Sequence, residues 1–292
     1  MTGPSGFSGA LARWVQSVLG PIQVVRDASH PRTNSQVWEV ASRAGRHFVK
    51  VAPDPILYTR ETRAYREAVP QLGHAGAPAM RDSSAELLAL ILTAVDGEPL
   101  KCEQSLARRR DAHRQAGQLL RRFHDVLPSR RAQSEAGAVI EATVTGLEKH
   151  IAAAGNHLSV TEADMLRRIV SALPAIGPLP CGLRHGDFWE RNIIWTGRRC
   201  ALIDYERSTP GPLVADFVKL ATTVWPDLPE LGTSLLAGYG RPLSDIEQQA
   251  LVSFAAADAA SALAYGPLHG DERVTARGRR TVERLTQEGR WR

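Results

Sequence analysis

The chain has 292 residues, 43% of them apolar and 23% charged, with a formal charge of +5. That length can bury one large core or two modest ones, and so mild a basic surplus does not demand a nucleic-acid partner. No run of about 18 apolar residues occurs, so no membrane partner is expected. The opening MTGPSGFSGALARWV lacks a basic stretch followed by an apolar one, so no secretory signal is expected. Cys102, Cys181 and Cys200 cannot all pair and show no CxxC spacing, which argues against a disulfide framework or a zinc ribbon. A cytoplasmic location follows as the expectation. The sequence leaves the oligomeric state open.

Residues up to about 92 read as mixed strands with one helix. Short valine-bearing runs at 22–26 and 36–41 alternate roughly, and 47–52 alternates as well. Phe48, Lys50 and Ala52 share one face there, and His47, Val49 and Val51 the other. Residues 42–46 between them form a hairpin-type turn containing Gly45. Residues 59–72 have helical spacing, and 87–92 is an apolar run of strand length. Gly97 and Pro99 then punctuate the chain. Beyond them the pattern turns helical, which places a lobe boundary between 94 and 95: a lobe of small antiparallel sheet at 1–94, and a larger, mainly helical one at 95–292.

In the second lobe 104–126 is a long amphipathic stretch, with Leu119, Leu120 and Phe123 on one face. Residues 133–156 also read as helical. Ser159 with Glu162, and Ser244 with Glu247, have capping-box spacing and start two further helices. The only β segment expected in this half is the hairpin 193–195 and 200–203, turning at Gly197. Arginine clusters at 108–110, 121–122, 130–131 and in the tail read as solvated helix faces, because aromatic side chains for base stacking are not interleaved with them.

The informative segment runs from Leu183 to Glu206. It contains His185-Gly186-Asp187 with Asn192 five residues after Asp187, then an apolar strand ending in Asp204. This is the order of a kinase catalytic loop and metal site. Phosphoryl transfer needs a carboxylate to orient a hydroxyl and take its proton late in the step, a role suited to Asp187. The phosphate's charge requires Mg²⁺, which prefers oxygen ligands. Asn192 offers an amide oxygen and Asp204 a carboxylate, and the hairpin returns the chain so that the two lie at one end of it.

On these residues the chain resembles the aminoglycoside phosphotransferase and choline kinase-like family, a branch of the protein-kinase-like fold. Protein kinases carry Arg after the motif His and Lys two residues after the catalytic Asp; here those positions are Gly186 and Trp189. Asp204-Tyr205-Glu206 replaces Asp-Phe-Gly. The segment 117–124 resembles the family's long helix, and 213–217 the stretch after the metal Asp. The resemblance implies a bilobal α+β fold and the use of ATP or GTP with Mg²⁺.

It also assigns further roles. Lys50, the sole lysine among the first hundred residues, would hold the nucleotide phosphates. A helix glutamate would orient it, Glu61 in preference to Glu67. The phosphate-covering loop falls at 27–35 and contains no glycine; Thr33, Asn34 and Ser35 would offer amides or hydroxyls. Adenine would meet the backbone near Thr93 and Val95. His185 and Asp216 would support the catalytic loop, and Glu206 and Trp189 are weaker candidates for contact with metal or acceptor. Trp195, on a strand, reads as core.

The family phosphorylates hydroxyls of aminoglycosides, other antibiotics, choline and related metabolites. From Glu206 onward 11 acidic residues stand against 10 basic ones, too few to favour a polycationic acceptor. The first expectation is therefore an antibiotic kinase conferring resistance, acting on an aminoglycoside or on a less cationic nucleoside or glycosylated compound. The alternatives are a kinase of an amino alcohol or sugar, and a nucleotide-binding module of the same fold without catalysis.

Overall fold

The structure is a computed structural model; it describes residue 7 and residues 9–29, 35–127 and 129–287, with the backbone alone for 129–136. In chain order, α1 (Gly9–Leu19) precedes strands β1 (Ile22–Asp27), β2 (Gln36–Ser42) and β3 (Gly45–Val51). Next come α2 (Pro55–Glu67), β4 (Met80–Ser84), β5 (Ala89–Thr93) and the two-residue β6 (Glu98–Pro99). The helices α3 (Leu106–His124), α4 (Ser129–Ala154) and α5 (Val160–Ser171) lead to β7 (Cys181–Arg184). The hairpin β8 (Ile193–Trp195) and β9 (Cys200–Leu202) is followed by β10 (Thr209–Pro212) and by α6 (Val218–Thr223), α7 (Pro229–Tyr239), α8 (Asp245–Leu268) and α9 (Glu272–Thr286).

Two compact units result. The first is Met1–Gln104 with Glu190–Ser208; the second is Ser105–Trp189 with Thr209–Arg292. The sequence marks a boundary at 94/95. The units part at 104/105, and 190–208 joins the first because β6 pairs with β8, Glu98 opposite Trp195.

In the first unit a five-stranded antiparallel sheet has the order β1-β2-β3-β5-β4. The turn at 42–45 sets the register of β2 on β3, with Ser42 opposite Gly45 and Val37 opposite Lys50. Lys50 in turn lies opposite Leu90 of β5. One face of the sheet buries Trp38, Val40, Val49 and Ile91 against Leu11 and Val15 of α1. Burying such side chains is what fixes the strands, since a one-residue slip would put them in water. Helix α2 starts at Asp54, whose carboxylate accepts from the amides of Ile56 and Leu57, with Pro55 at the first helical position.

The expectation of one helix before residue 92 needs correcting: α1 is a second. Its apolar residues Leu11 and Val15 are one helical turn apart and both buried. The expected helix 59–72 is α2 and a separate 3₁₀ turn, Val69–Leu72, divided where Pro70 cannot continue the hydrogen-bond ladder.

The second unit is helical around α8. Leu147, Leu166, Val170, Ala256, Ala259, Ala260, Leu263 and Val282 form one buried cluster. Both expected capping boxes are present, Ser159 with Glu162 and Ser244 with Glu247. Helix α8 is long and apolar enough to cross a membrane by length and composition, but most of it is buried inside this unit. The hairpin is not the only β segment of the second half: β7 and β10 pair antiparallel, with Arg184 opposite Thr209. β10 reads Thr-Pro-Gly-Pro, and its two prolines cannot donate to a ladder, so it resembles a loop in sequence.

Candidate active site

In the first unit the sequence-predicted residues gather around one ammonium group. Lys50 Nζ lies 2.9 Å from Glu61 Oε2, 2.7 Å from Asp204 Oδ1 and 3.0 Å from Glu206 Oε2. Position 50 turns inward because it alternates with Val49 and Val51 on β3, and Glu61 meets it from the buried face of α2, fully excluded from solvent. Glu67 is instead paired with Arg63 on the surface of the same helix, at 2.9 Å. Of the two glutamates, Glu61 is therefore the one beside Lys50.

Asp204 ends the hairpin with φ of 70°, a left-handed conformation that aspartate tolerates better than most residues. Its neighbour Tyr205 is fully buried, packs edge-on against Tyr65 at 5.3 Å and donates its hydroxyl to the Leu202 carbonyl. That anchor fixes the strand end from which Asp204 reaches Lys50. Glu206 also accepts from the Ser35 hydroxyl at 3.1 Å. Ser35, expected to face phosphate, thus holds Glu206. Thr33 and Asn34 of the expected phosphate loop lie outside the described residues.

Three carboxylates around one ammonium shape the titration of the group. Burial alone would lower the Lys50 pKa, but the charges of Asp204, Glu61 and Glu206 raise it well above its ordinary value. Burial pushes the Glu61 carboxyl up to about 7, against the pull of Lys50. Lys50 is thus held as a cation.

Asn192 lies at the base of the same hairpin, buried, with its carbonyl accepting from the Ile203 amide at 3.1 Å. The ladder Ile193–Leu202 therefore continues into the Asn192–Ile203 pair and brings Asn192 to the end of the hairpin that carries Asp204. Among the described residues no group of three or more His, Cys, Asp and Glu is arranged to cage a metal. Mg²⁺ is commonly held by one or two carboxylates together with substrate phosphates. The amide oxygen of Asn192 and the carboxylate of Asp204 are hard oxygen donors of the right kind, in a locality already rich in negative charge.

Thr93 ends β5; its amide donates to the Ala79 carbonyl at 2.9 Å and its hydroxyl accepts from the Ala79 amide. That amide is committed to the fold. Val95, two residues on, is half-buried.

In the second unit Asp216 organises the segment before Asp187. Its carboxylate accepts from the amides of His185 at 2.7 Å and Gly186 at 2.8 Å, and pairs with His124 Nε2 at 2.9 Å. Burial by itself raises its pKa, but the His124 hydrogen bond and charge bring it below the ordinary carboxylate value. His124 is held from its other side by the Tyr239 hydroxyl at 2.9 Å. The His185 ring is buried between Phe123 and Phe188, at 6.1 and 6.0 Å between ring centroids. Its Nδ1 faces the Asp187 amide at 3.4 Å. Asp187 itself is almost wholly buried.

Sequence reasoning missed three charged residues that meet near Asp187: Lys219, Asp258 and Arg277. Lys219 Nζ stands 3.8 Å from Asp187 Oδ1 and 3.8 Å from Asp258 Oδ1, and Arg277 pairs with the other Asp258 oxygen. The ring of Trp189 lies 5.4 Å beneath the Lys219 ammonium. An open pocket adjoins them, lined by Gly186, Phe188, Val218, Lys219, Phe254 and Asp258. The scarcity of lysine was the one signal in the sequence that marked Lys219.

Fold and site together define a small-molecule phosphotransferase of the protein-kinase-like class. The chain belongs to the phosphotransferase enzyme family, whose model matches residues 25–252. No curated protein matches it by sequence. Its fold is that of a thermostable mutant of aminoglycoside phosphotransferase APH(4)-Ia in ternary complex with ADP and hygromycin B. The TM-score is 0.71 at 11% identity, covering 96% of this chain and 99% of the other. The streptomycin–ATP ternary complex of APH(2")-IIa aligns at 0.65 and 16% identity, over 98% and 97% of the two chains. A choline/ethanolamine kinase family protein from Mesorhizobium loti aligns at 0.65 and 20% identity, over 95% and 92%.

Proposed function

We propose that the enzyme moves the γ-phosphoryl group of ATP or GTP to a hydroxyl of an antibiotic, inactivating it, and that it works in the cytoplasm. The observation that carries the nucleotide half is the Lys50 ammonium, buried and oriented by Glu61 at 2.9 Å. In this reading the part up to residue 94 serves the nucleotide and the helical part from 95 the acceptor. Lys50 grips the phosphates, with backbone near Thr93 and Val95 against the base. Asn192 and Asp204 would hold Mg²⁺, which supplies charge neutralisation on the phosphate oxygens when bound. Asp187 accepts the proton of the acceptor hydroxyl as its oxygen bonds to phosphorus and the nucleoside diphosphate leaves. His185 and Asp216 hold the loop that presents Asp187, and Trp189 and Glu206 stand near the acceptor and metal.

The choice of an antibiotic over an amino alcohol or sugar rests on the aminoglycoside complexes among the similar structures. The near balance of charge in the acceptor half favours the less cationic compounds of that class. The test is mass spectrometry of an antibiotic and metabolite panel incubated with enzyme and MgATP. Gain of one phosphoryl group by an antibiotic supports the proposal. Gain only by an amino alcohol or sugar replaces it with the metabolite-kinase reading. Nucleotide binding without transfer to any acceptor points to a non-catalytic module. Asp187→Ala should abolish transfer while leaving the fold and nucleotide binding nearly intact.

A further inference from the structure

The charges beside Asp187 form a chain of ion pairs within the second unit. Two carboxylates, Asp187 and Asp258, alternate with two cations, Lys219 and Arg277. Asp258 comes from α8, Arg277 from α9 and Lys219 from α6. A lysine carries a flexible four-carbon stem and costs rotamer entropy to fix. Here that cost is offset on two sides, by the Asp258 carboxylate and by the Trp189 ring face. Arg277 takes Asp258 Oδ2 and so leaves Oδ1 directed at Lys219. The result is an ammonium held in place beside Asp187 at ion-pair separation, beyond hydrogen-bond length.

We propose that Lys219, anchored by Asp258 and seated on Trp189, is a positioning residue that fixes the Asp187 carboxylate in the direction needed to receive an acceptor hydroxyl. The proposal rests on the reading of Asp187 as the group that takes the acceptor proton. Orientation is the natural role for such a cation. In a loose phosphoryl-transfer transition state the proton moves late, so the carboxylate is required to be correctly aimed more than strongly basic. A displacement of about 1 Å at such a group costs on the order of 10²-fold in rate. Lys219 also stands on the pocket wall that Gly186 and Phe188 share. It therefore faces a pocket open to small molecules beside Asp187, whereas the Lys50 ammonium is committed within the first unit.

The chain has four lysines, Lys50, Lys101, Lys149 and Lys219, so ¹⁵N-lysine NMR of the full protein gives four ammonium signals, assigned by Lys219→Arg. The expected result is a Lys219 signal that moves on both Asp187→Asn and Asp258→Asn. A Lys219 signal that resembles those of the exposed Lys101 and Lys149 and ignores both substitutions overturns the proposal. Turnover is then measured with MgATP and hygromycin B, streptomycin or choline, and with water where none is taken. Lys219→Met should lower kcat on the order of 10²-fold with KM for ATP within about twofold, and Lys219→Arg should recover part of the loss. Asp258→Asn should reduce kcat less, and should add nothing to Lys219→Met, since it acts through that lysine. A Lys219→Met enzyme with unchanged kcat, or one whose loss tracks only a lowered melting temperature, overturns the positioning role. Full turnover by Asp187→Asn sinks the underlying reading of Asp187 instead, whatever the lysine variants do.

Discussion

The Lys50 ammonium and the Asp204 carboxylate meet at 2.7 Å although 154 positions separate them in the chain. Glu61 and Glu206 complete the ring of carboxylates around that one cation. Lys50→Met therefore does two things. On the proposed function it removes the phosphate grip, so affinity for MgATP should fall at least tenfold in a titration. It also leaves a fully buried Glu61 without its partner, which should cost about 3–5 kcal/mol of stability in denaturant unfolding. Wild-type stability in this variant would show that Glu61 is neutral in the fold and that the pair does not hold the site.

Asp216 binds two successive backbone amides and His124 from within the second unit. Asp216→Asn keeps the shape but exchanges an ionised acceptor for an amide whose NH₂ faces donors. The expected loss is about 3 kcal/mol, read as a lowered urea midpoint with an unchanged slope. Turnover should fall with it, because the amides of His185 and Gly186 lead directly into Asp187.

Helices α3 and α7 pack so closely that each needs a glycine facing the other. A Cβ on Gly117 would strike the Leu235 carbonyl, and one on Gly238 would strike the Arg114 carbonyl. Gly117→Ala and Gly238→Ala should each destabilise by about 1–3 kcal/mol, despite alanine's higher helix propensity. Thermal unfolding of the two single variants checks this; a raised melting temperature would mean that the helices part easily.

Glu247 links pH to stability. It is buried at the start of α8, bound by both Nη groups of Arg241 at 2.6 and 2.8 Å and by the Ser244 amide. Burial by itself raises its pKa, but the Arg241 and Ser244 hydrogen bonds outweigh that and bring it below the ordinary glutamate value. A depressed pKa in the folded state means stabilisation that is complete above the unfolded value, about 4.3, and is lost as pH falls through the folded one. Denaturant midpoints should therefore decline as pH falls below about 4. The Glu247→Gln protein should be weaker at pH 7 and show a shallower decline. Parallel curves for the two proteins would remove Glu247 from the acid transition.

Much of this was readable in the amino-acid order wherever the signal was local. The two capping boxes, the turn at 42–45 and the hairpin at 193–202 each rest on neighbours a few residues apart. Lys50 was identifiable because a lone lysine in an apolar alternation is conspicuous. Strand β4 was not, since Met-Arg-Asp-Ser-Ser has no apolar face and exists by pairing with β5. The placement of Lys219 was hidden for a different reason: its partners Asp187 and Asp258, and the Arg277 that holds Asp258, come from three other places in the chain, and nothing near position 219 announces them.

The first unit is assembled from two separate stretches of chain, the second of which supplies β8, β9, Asp204 and Glu206. During synthesis the nascent polypeptide must emerge past residue 208 before that unit has all its parts. A ribosome-stalled fragment ending at 104 would hold the sheet and Lys50 yet lack the hairpin that covers Glu98 and the carboxylates at 204 and 206. Lys50 can therefore meet its full set of carboxylates only after residue 206 has been made.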